Sequence, residues 1–458
     1  MAHIPSWHAW YGVILLLGVY INSFIDRTIL TLLVGPIRET TGLSDSQVGF
    51  LIGPAFAIFY TIAGLPLGWL ADRVSRVWLI VVGQIFWTIA SVSFGLGRSF
   101  RALALARIGV GVGEASLSPA AYSIISDLFP LERLARALSV YSMGIHLGGG
   151  LASVLGGFVI GWAGEASSFR VPLVGERHLW QVVFFVVALP TIPLTLLLLT
   201  TFREPKRRES GGRAEAVAVS TGDFFRYFRA NAGAFVCHNF GFGLLALSGY
   251  GALSWIPEFF VRIHGWDRAF VGKVVGLNSM IVGVAGLYFG GFLGDLLARR
   301  GRSDSKILVG LLAILLWLPF GLFLPFAPTG ALAFALWIPV TFAAAMPWGA
   351  AAAAIQEAVP NQMRGQAAAI FLFVINLVGL GLGPQILPWV TDYVFRDEMQ
   401  IHLSLLTVTT TAEVGAFALL LLALPRFRRA IRYRDRWMDE RSKPRRNLLE
   451  ERGPISLE

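Results

Sequence analysis

Apolar runs of about 20 residues, each long enough to cross the hydrocarbon core of a bilayer, recur along almost the whole chain with short polar breaks between them. Twelve are predicted as helices, over residues 9–35, 46–70, 77–96, 99–123, 137–162, 179–201, 231–256, 270–297, 305–325, 330–356, 366–391 and 402–425. An even number of crossings returns both termini to one side. The longest polar stretch, "REPKRRESGGRAEAVAVSTGDFFRYFRAN", follows the sixth run and mixes Gly, Ser and charge as a linker does. The pattern predicts an all-α membrane protein of twelve transmembrane helices in two pseudo-symmetric six-helix bundles. Its predicted parts are an N-terminal bundle over 1–202, a linker over 203–230, a C-terminal bundle over 231–425 and a basic tail over 426–458.

Composition agrees: 55% of the 458 residues are hydrophobic and 14% charged, with a mean hydropathy of +0.65, too apolar for an ordinary soluble domain. The first run carries Asp26 and Arg27 and lacks a small-residue cleavage site, so it reads as a retained crossing, not a signal peptide. The formal charge of +10 raises a nucleic-acid reading that its distribution removes. With the N-terminus placed in the cytoplasm, the inner loops and tail hold about 27 Lys and Arg and the outer loops about 9, the bias expected of a membrane protein. Both termini are therefore expected in the cytoplasm, with the tail from Arg426 held against anionic lipid. The single cysteine, Cys237, excludes an intramolecular disulfide framework and any Cys-based zinc or iron–sulfur site.

The two halves share a pattern. "GWLADRVSR" from Gly68 matches "GFLGDLLARRGR" from Gly291, "PLERLARALS" from Pro130 parallels "PNQMRGQAAA" from Pro360, and the glycine-rich fifth run parallels the eleventh. Such internal symmetry is the mark of transporters built from duplicated bundles. In these segments the chain resembles the major facilitator superfamily. Gly68, Asp72, Arg73 and Arg76 match that family's loop between its second and third helices, with Ser75 where a glycine is usual; Arg107, Gly111 and Gly113 match its fourth-helix motif. "YINSFIDR", "RIGVGVGEASLSPAAYSIISDLF" and "FREP" narrow the resemblance to Spinster-type transporters, with a bacterial member expected. The resemblance implies alternating access between the bundles, and a sphingoid phosphate or lysophospholipid as the kind of substrate.

Four charges are read in the core of the predicted crossings: Asp26 and Arg27 in the first, Arg107 and Glu114 in the fourth. At about 2.5–3.5 kcal/mol each at the bilayer centre, four isolated charges would cost roughly 10 kcal/mol. They are tolerable only if they pair or face a wet cavity, which brings the two helices together. Asp26 and Glu114 are the expected proton-coupling pair. Arg27 or Arg107 is the expected partner of an anionic headgroup, because a guanidinium pairs bidentately with phosphate or carboxylate. Asn22, one turn before Asp26, is placed to hydrogen-bond to it. The crossings opposite the first and fourth carry no charge, so coupling chemistry is expected in the N-terminal bundle alone. The bland alternative is a static set of ion pairs that pins helices together.

Weaker signals surround these. Asp72, Arg73 and Arg76, with Asp295 and Arg299, are expected to form a cytoplasmic latch that holds an outward-open state. His146, His238, Asn239 and Asn376 are possible polar cavity residues, although helix packing accounts for the histidines as well. Glycines 241, 243, 249 and 251 in the seventh crossing and Pro347 in the tenth mark predicted bends. "GVGVGEAS" lacks the lysine of a phosphate loop and lies inside a crossing, so nucleotide binding is rejected.

The sequence thus predicts a secondary transporter of the bacterial inner membrane that moves an amphiphilic anionic lipid and is coupled to protons. Uptake of a small organic acid or sugar acid is the alternative. No metal or organic cofactor is expected, no nucleic acid, and no enzymatic activity; the bilayer and an amphiphilic or anionic small molecule are the expected partners of a monomer.

Overall fold

The computed structural model describes residues 6–163, 168–172, 174–207 and 221–442. Eleven helices among them are long and apolar enough to cross a membrane: Trp7–Leu32, Asp45–Ala71, Arg76–Leu96, Arg136–Ala163, Leu179–Thr200, Ala232–His264, Arg268–Arg299, Ser305–Phe326, Gly330–Glu357, Arg364–Phe395 and Glu398–Asp439. The remaining crossing, fourth in order, is built from two shorter helices, Phe100–Glu114 and Leu117–Leu128. Pro119 lacks the amide hydrogen that a continuous helix would direct at Ala115, so the helix breaks there and leaves Glu114 at the end of its first segment. Twelve crossings result, as the apolar pattern predicts, and an even number brings the two ends of the described chain to one face of the molecule.

The repeat shows in the turns on the opposite face. Gly42 and Gly265 adopt left-handed φ values of +69° and +62° just after the first and seventh crossings, a conformation that costs glycine little. Two residues further on, Ser44 and Asp267 cap the helices that return, through bonds from Gln47 N at 3.2 Å and Phe270 N at 2.9 Å. The fifth and sixth crossings are joined on this face by a hairpin that the sequence reading did not foresee. Its strands β1 (Ser168–Val171) and β2 (Gly175–His178) pair antiparallel, Ser168 opposite His178.

Burial is continuous between the bundles only towards the hairpin face. One apolar cluster runs from Ile29, Leu33, Val34, Ile37 and Leu51 of the N-terminal half into Trp255, Ile256, Phe259 and Val271 of the C-terminal half. On the termini side, the N-terminal half keeps a core of its own around Val13, Leu16, Val19, Ile80, Ile124 and Ile125. Glycines set the closest joints. A Cβ on Gly150 would lie 2.8 Å from the Gly276 carbonyl oxygen, and one on Gly276 would lie 2.6 Å from that of Gly150, so the fifth and eighth crossings meet backbone to backbone. The second and eleventh do likewise, where a Cβ on Gly53 would lie 2.4 Å from the Gly381 carbonyl. Beyond these joints, towards the termini, Leu65, Trp69, Leu372 and Phe373 are exposed. The bundles are closed at the hairpin face and parted at the termini face.

Predicted bends and linkers are partly revised. The seventh crossing is one unbroken helix, because its glycines serve packing: a Cβ on Gly251 would lie 3.0 Å from the Gly383 carbonyl. The tenth does break before Pro347. Widened π-helical turns occur instead in the eighth crossing at Ser279–Gly283 and in the eleventh at Ile375–Leu382 and Val390–Phe395. Of the predicted linker, residues 208–220 lie outside the described part, and Thr221–Ala230 is a helix whose Tyr227 hydroxyl donates to the Ala358 carbonyl at 2.8 Å. The predicted tail begins inside the last helix, which reaches Ser442; residues 443–458 lie outside the described part. Arg428 of that segment binds Asp304 at 2.6 Å, tying the last helix to the start of the ninth crossing. Burial pushes the Asp304 carboxyl up, and Arg302 and Arg428 overcome this and hold it below its ordinary value.

Candidate functional site: a buried charge cluster between the first, third and fourth crossings

The four predicted charges do converge. Arg27 donates from Nε to Glu114 Oε2 at 2.5 Å, and the Ser23 hydroxyl donates to the same oxygen at 2.6 Å. A carboxylate at a helix C-terminus opposes the helix dipole, and here the guanidinium offsets it. Asp26 turns the other way around its helix, as a 100° step requires, and accepts a bond from the Ser91 hydroxyl of the third crossing at 2.6 Å. Asp26, Arg107 and Glu114 are almost wholly buried, whereas Arg27 keeps 11% of its side chain exposed. Its guanidinium lies 4.8, 4.7 and 4.6 Å from the ring centres of Phe24, Phe56 and Tyr60. A cation held against three ring faces is stabilised while one side remains open to the cleft.

Side chains, not backbone, span this region. The first helix packs on the fifth crossing and only grazes the third and fourth. Thirteen buried side-chain polar atoms among the described residues lack a hydrogen-bond partner, and six of them are here: Asn22 Oδ1, Asp26 Oδ2, both head atoms of Gln84, Arg107 Nη1 and Glu114 Oε1. Left unpaired at about 1–3 kcal/mol each, six such atoms would cost roughly 6–18 kcal/mol, as much as the net stability of a whole domain, about 5–15 kcal/mol. The cluster therefore concentrates unpaired buried polarity between the first, third and fourth crossings.

Several expectations are corrected. Asn22 does not bond to Asp26; its amide donates to Thr191 Oγ1 at 3.0 Å, across to the sixth crossing. Arg107 is 1% exposed and donates from Nε to the Leu51 carbonyl at 3.1 Å, so of the two arginines only Arg27 reaches the cleft. His238 is fully buried, with Nδ1 paired to Asn239 Oδ1 at 2.9 Å and Nε2 to the Ala351 carbonyl at 3.1 Å, which is a packing role for both residues. His146 packs against the widened turn of the eighth crossing, where a Cβ on Gly283 would lie 3.2 Å from its Nδ1. Asn376 is half-buried within the widened turn of the eleventh.

The latch residues divide. Asp72, Arg73 and Arg299 are exposed, and Arg73 lies over the Trp69 ring. Asp295 is 3.7 Å from Lys306 within its own bundle. Arg76 is buried and ties the third crossing to Asp127 of the fourth and, at 2.8 Å, to Glu204 after the sixth. Ser75 caps the third crossing and donates to Glu204 Oε2 at 2.5 Å. Burial pushes the Glu204 carboxyl up, and the Ser75 and Arg76 bonds outweigh this and hold it below its usual value.

Sequence reasoning missed two features. On the hairpin face a chain of charges joins the bundles: Arg262 grips Asp45 with both terminal nitrogens, at 2.5 and 2.8 Å, and Arg38 pairs with Glu398. Glu258 binds Arg262, Arg268 and the amide of Gly35, and Ser46 N donates to Asp392 at 2.8 Å. These residues sit at predicted helix ends, where charge is unremarkable. The second feature is Glu413, 1% exposed within the twelfth crossing and bonded by the Ser248 hydroxyl at 2.9 Å. With Glu258 also buried, the C-terminal bundle carries buried acids of its own, outside the two predicted crossings read as uncharged. An acid inside an apolar run was the signal that could have found Glu413.

Facing the Arg27 site, Tyr250 of the seventh crossing stacks edge-on to Trp348 at 5.6 Å. Trp348 belongs to an apolar recess of the C-terminal bundle lined also by Phe242, Leu245, Ala246, Ala344, Pro347, Ala351, Phe371 and Ile375. About 20 Å³ is free there in this state.

Two bundles closed at one face, parted at the other and carrying buried charge beside the cleft define a membrane transporter. Residues 16–384 match the model of the Major Facilitator Superfamily, and the chain belongs to that superfamily. It is similar to an MFS-type efflux pump of Mycolicibacterium smegmatis, 30% identical over 92% of this chain and 94% of that protein. A probable L-galactonate transporter of Escherichia coli is 23% identical over 90% of this chain and 88% of its own length. Among solved structures, a bacterial homologue of the human lysosomal transporter Spinster, inward-facing and unoccupied, matches with a TM-score of 0.75 and 28% identity over 94% of this chain and 98% of that one.

Proposed function

We propose that the chain is a proton-coupled secondary transporter of an amphiphilic anion with one acyl or similar apolar chain, such as a lysophospholipid or sphingoid phosphate, working in a bacterial inner membrane with both termini in the cytoplasm. The observation that carries this is the polarity of the cleft: a partly exposed guanidinium caged by rings on the N-terminal side, and an apolar recess on the C-terminal side. In this reading, protonation of Glu114 weakens its bond to Arg27 and frees the guanidinium for a phosphate or carboxylate. Asp26, the other buried acid, shares the proton. The recess is too small for an acyl chain as it stands, so Trp348 or Phe371 moves when the chain enters. Likeness to the bacterial Spinster homologue supports the lipid reading.

Transport of a sugar acid is the second reading, favoured by the likeness to the probable L-galactonate transporter. Thermal stabilisation of the purified protein separates the two, because a true ligand raises the melting temperature by mass action. A lysophospholipid at concentrations below its micelle threshold is expected to stabilise the wild type, and Arg27→Ala is expected to lose that effect. Stabilisation by galactonate but not by the lysolipid would reverse the assignment.

A further inference from the structure

The six unpartnered atoms lie on three helices that face one another. Gln84, Thr88 and Ser91 fall on one face of the third crossing by their spacing. Ser91 reaches Asp26, and Thr88 reaches Thr191 at 3.1 Å, the residue that also binds Asn22. Gln84 stands beside the point where the third and fourth crossings touch: a Cβ on Gly113 would lie 2.9 Å from the Gly83 carbonyl, and Glu114 follows Gly113. Gln84 is fully buried, yet neither its amide nitrogen nor its oxygen has a protein partner. Two of the six atoms are donors, Gln84 Nε2 and Arg107 Nη1, and four are acceptors. A metal ion satisfies only the acceptors and an anion only the donors. Water satisfies both, with two to four bonds per molecule.

We infer that ordered water occupies the space between the first, third and fourth crossings, and that Gln84 positions it so as to join Asp26 to Glu114. The inference rests on the proposed proton coupling for its consequence, though not for its existence. A proton leaving Asp26 Oδ2 passes to the water as another O–H bond of that water breaks and delivers a proton to Glu114 Oε1. One proton moves, and the water is regenerated. Arg27 on the first crossing, Arg107 and Tyr122 on the fourth, and the tyrosines Tyr20, Tyr60 and Tyr250 from the first, second and seventh are other charged or titratable groups around this path. Gln84 is a positioning residue, since it touches neither substrate nor the caged guanidinium.

A structure of the wild type in nanodiscs, at a resolution that shows water, tests the inference together with an infrared titration of the protonated-carboxyl band. Water within hydrogen-bond distance of both Gln84 head atoms is expected. Gln84→Met is expected to displace it and to move the band's midpoint by half a pH unit or more, and Gln84→Asn, which keeps an amide, to restore the wild-type midpoint. A direct bond from Gln84 to Glu114 with no water, or a Gln84→Met titration identical to the wild type, overturns the inference. So does a melting temperature that rises with sodium chloride but not choline chloride, which assigns the space to a metal ion. Should Gln84→Met fail to fold, the wild-type structure decides alone. Coupling is tested separately: Asp26→Asn with undiminished pH-driven transport removes the coupling and leaves the bound water standing.

Discussion

Arg27 owes its position to three rings and one carboxylate, and a lysine could not replace it. An ammonium has neither the flat face that stacks on Phe56 and Tyr60 nor an Nε that bonds Glu114 while the terminal nitrogens remain free. Arg27→Lys is expected to weaken binding of an anionic lysolipid about tenfold or more, corresponding to about 1.4 kcal/mol of lost contact, as read by tryptophan-fluorescence titration; unchanged affinity would take Arg27 out of the headgroup site. The four charges were legible in the sequence because each is costly in an apolar run and so announces a partner. Their neutral partners were not. Ser23 and Ser91 are ordinary in a membrane helix, and Asn22 was misassigned because a spacing of four places it beside Asp26 without showing that Thr191 is in reach.

At the scale of elements, glycines act as joints more than hinges. Gly276→Ala places a methyl 2.6 Å from a backbone carbonyl of the fifth crossing, and overpacking of this kind costs about 1–3 kcal/mol. A lower melting temperature in detergent is expected, with Gly291→Ala, where a Cβ meets open space, as the unaffected control. The Glu204 clamp adds a pH dependence. Its carboxyl lies lower in the folded chain than its ordinary 4.5, so its stabilisation is complete above that value and is lost as pH falls through the folded one. Glu204→Gln is therefore expected to lower the melting temperature at pH 7 and to flatten its fall below pH 4.5; parallel acid curves would contradict the clamp. Helix positions were legible from hydropathy alone. The break in the fourth crossing was not, because Glu114 was counted as a charge and Pro119 five residues on was not read as a stop, and the widened turns of the eighth and eleventh carry no distinctive residue.

On the scale of the whole molecule, the state described is closed where Asp45, Arg262, Glu258, Arg268, Arg38 and Glu398 interlock and open where Asp72 and Arg299 stand exposed. In the proposed topology, with both termini in the cytoplasm, this is the inward-facing state, and the proposed latch through Asp72 and Asp295 would belong to the opposite one. Breaking a buried pair costs about 3–5 kcal/mol, so Asp45→Asn is expected to shift the balance towards the outward-open form by about two to four orders of magnitude, visible as longer spin-label distances across the hairpin face. Unchanged distances would show that the apolar contact alone closes that face. The central claim is that Asp26 and Glu114 couple proton flow to movement of an anionic amphiphile held by Arg27. Its most direct test is uptake of a labelled lysophospholipid into proteoliposomes under an imposed pH gradient. The account predicts gradient-driven uptake by the wild type that loses its pH dependence in Asp26→Asn and Glu114→Gln; identical uptake with and without the gradient, or pH dependence intact in both variants, would contradict it.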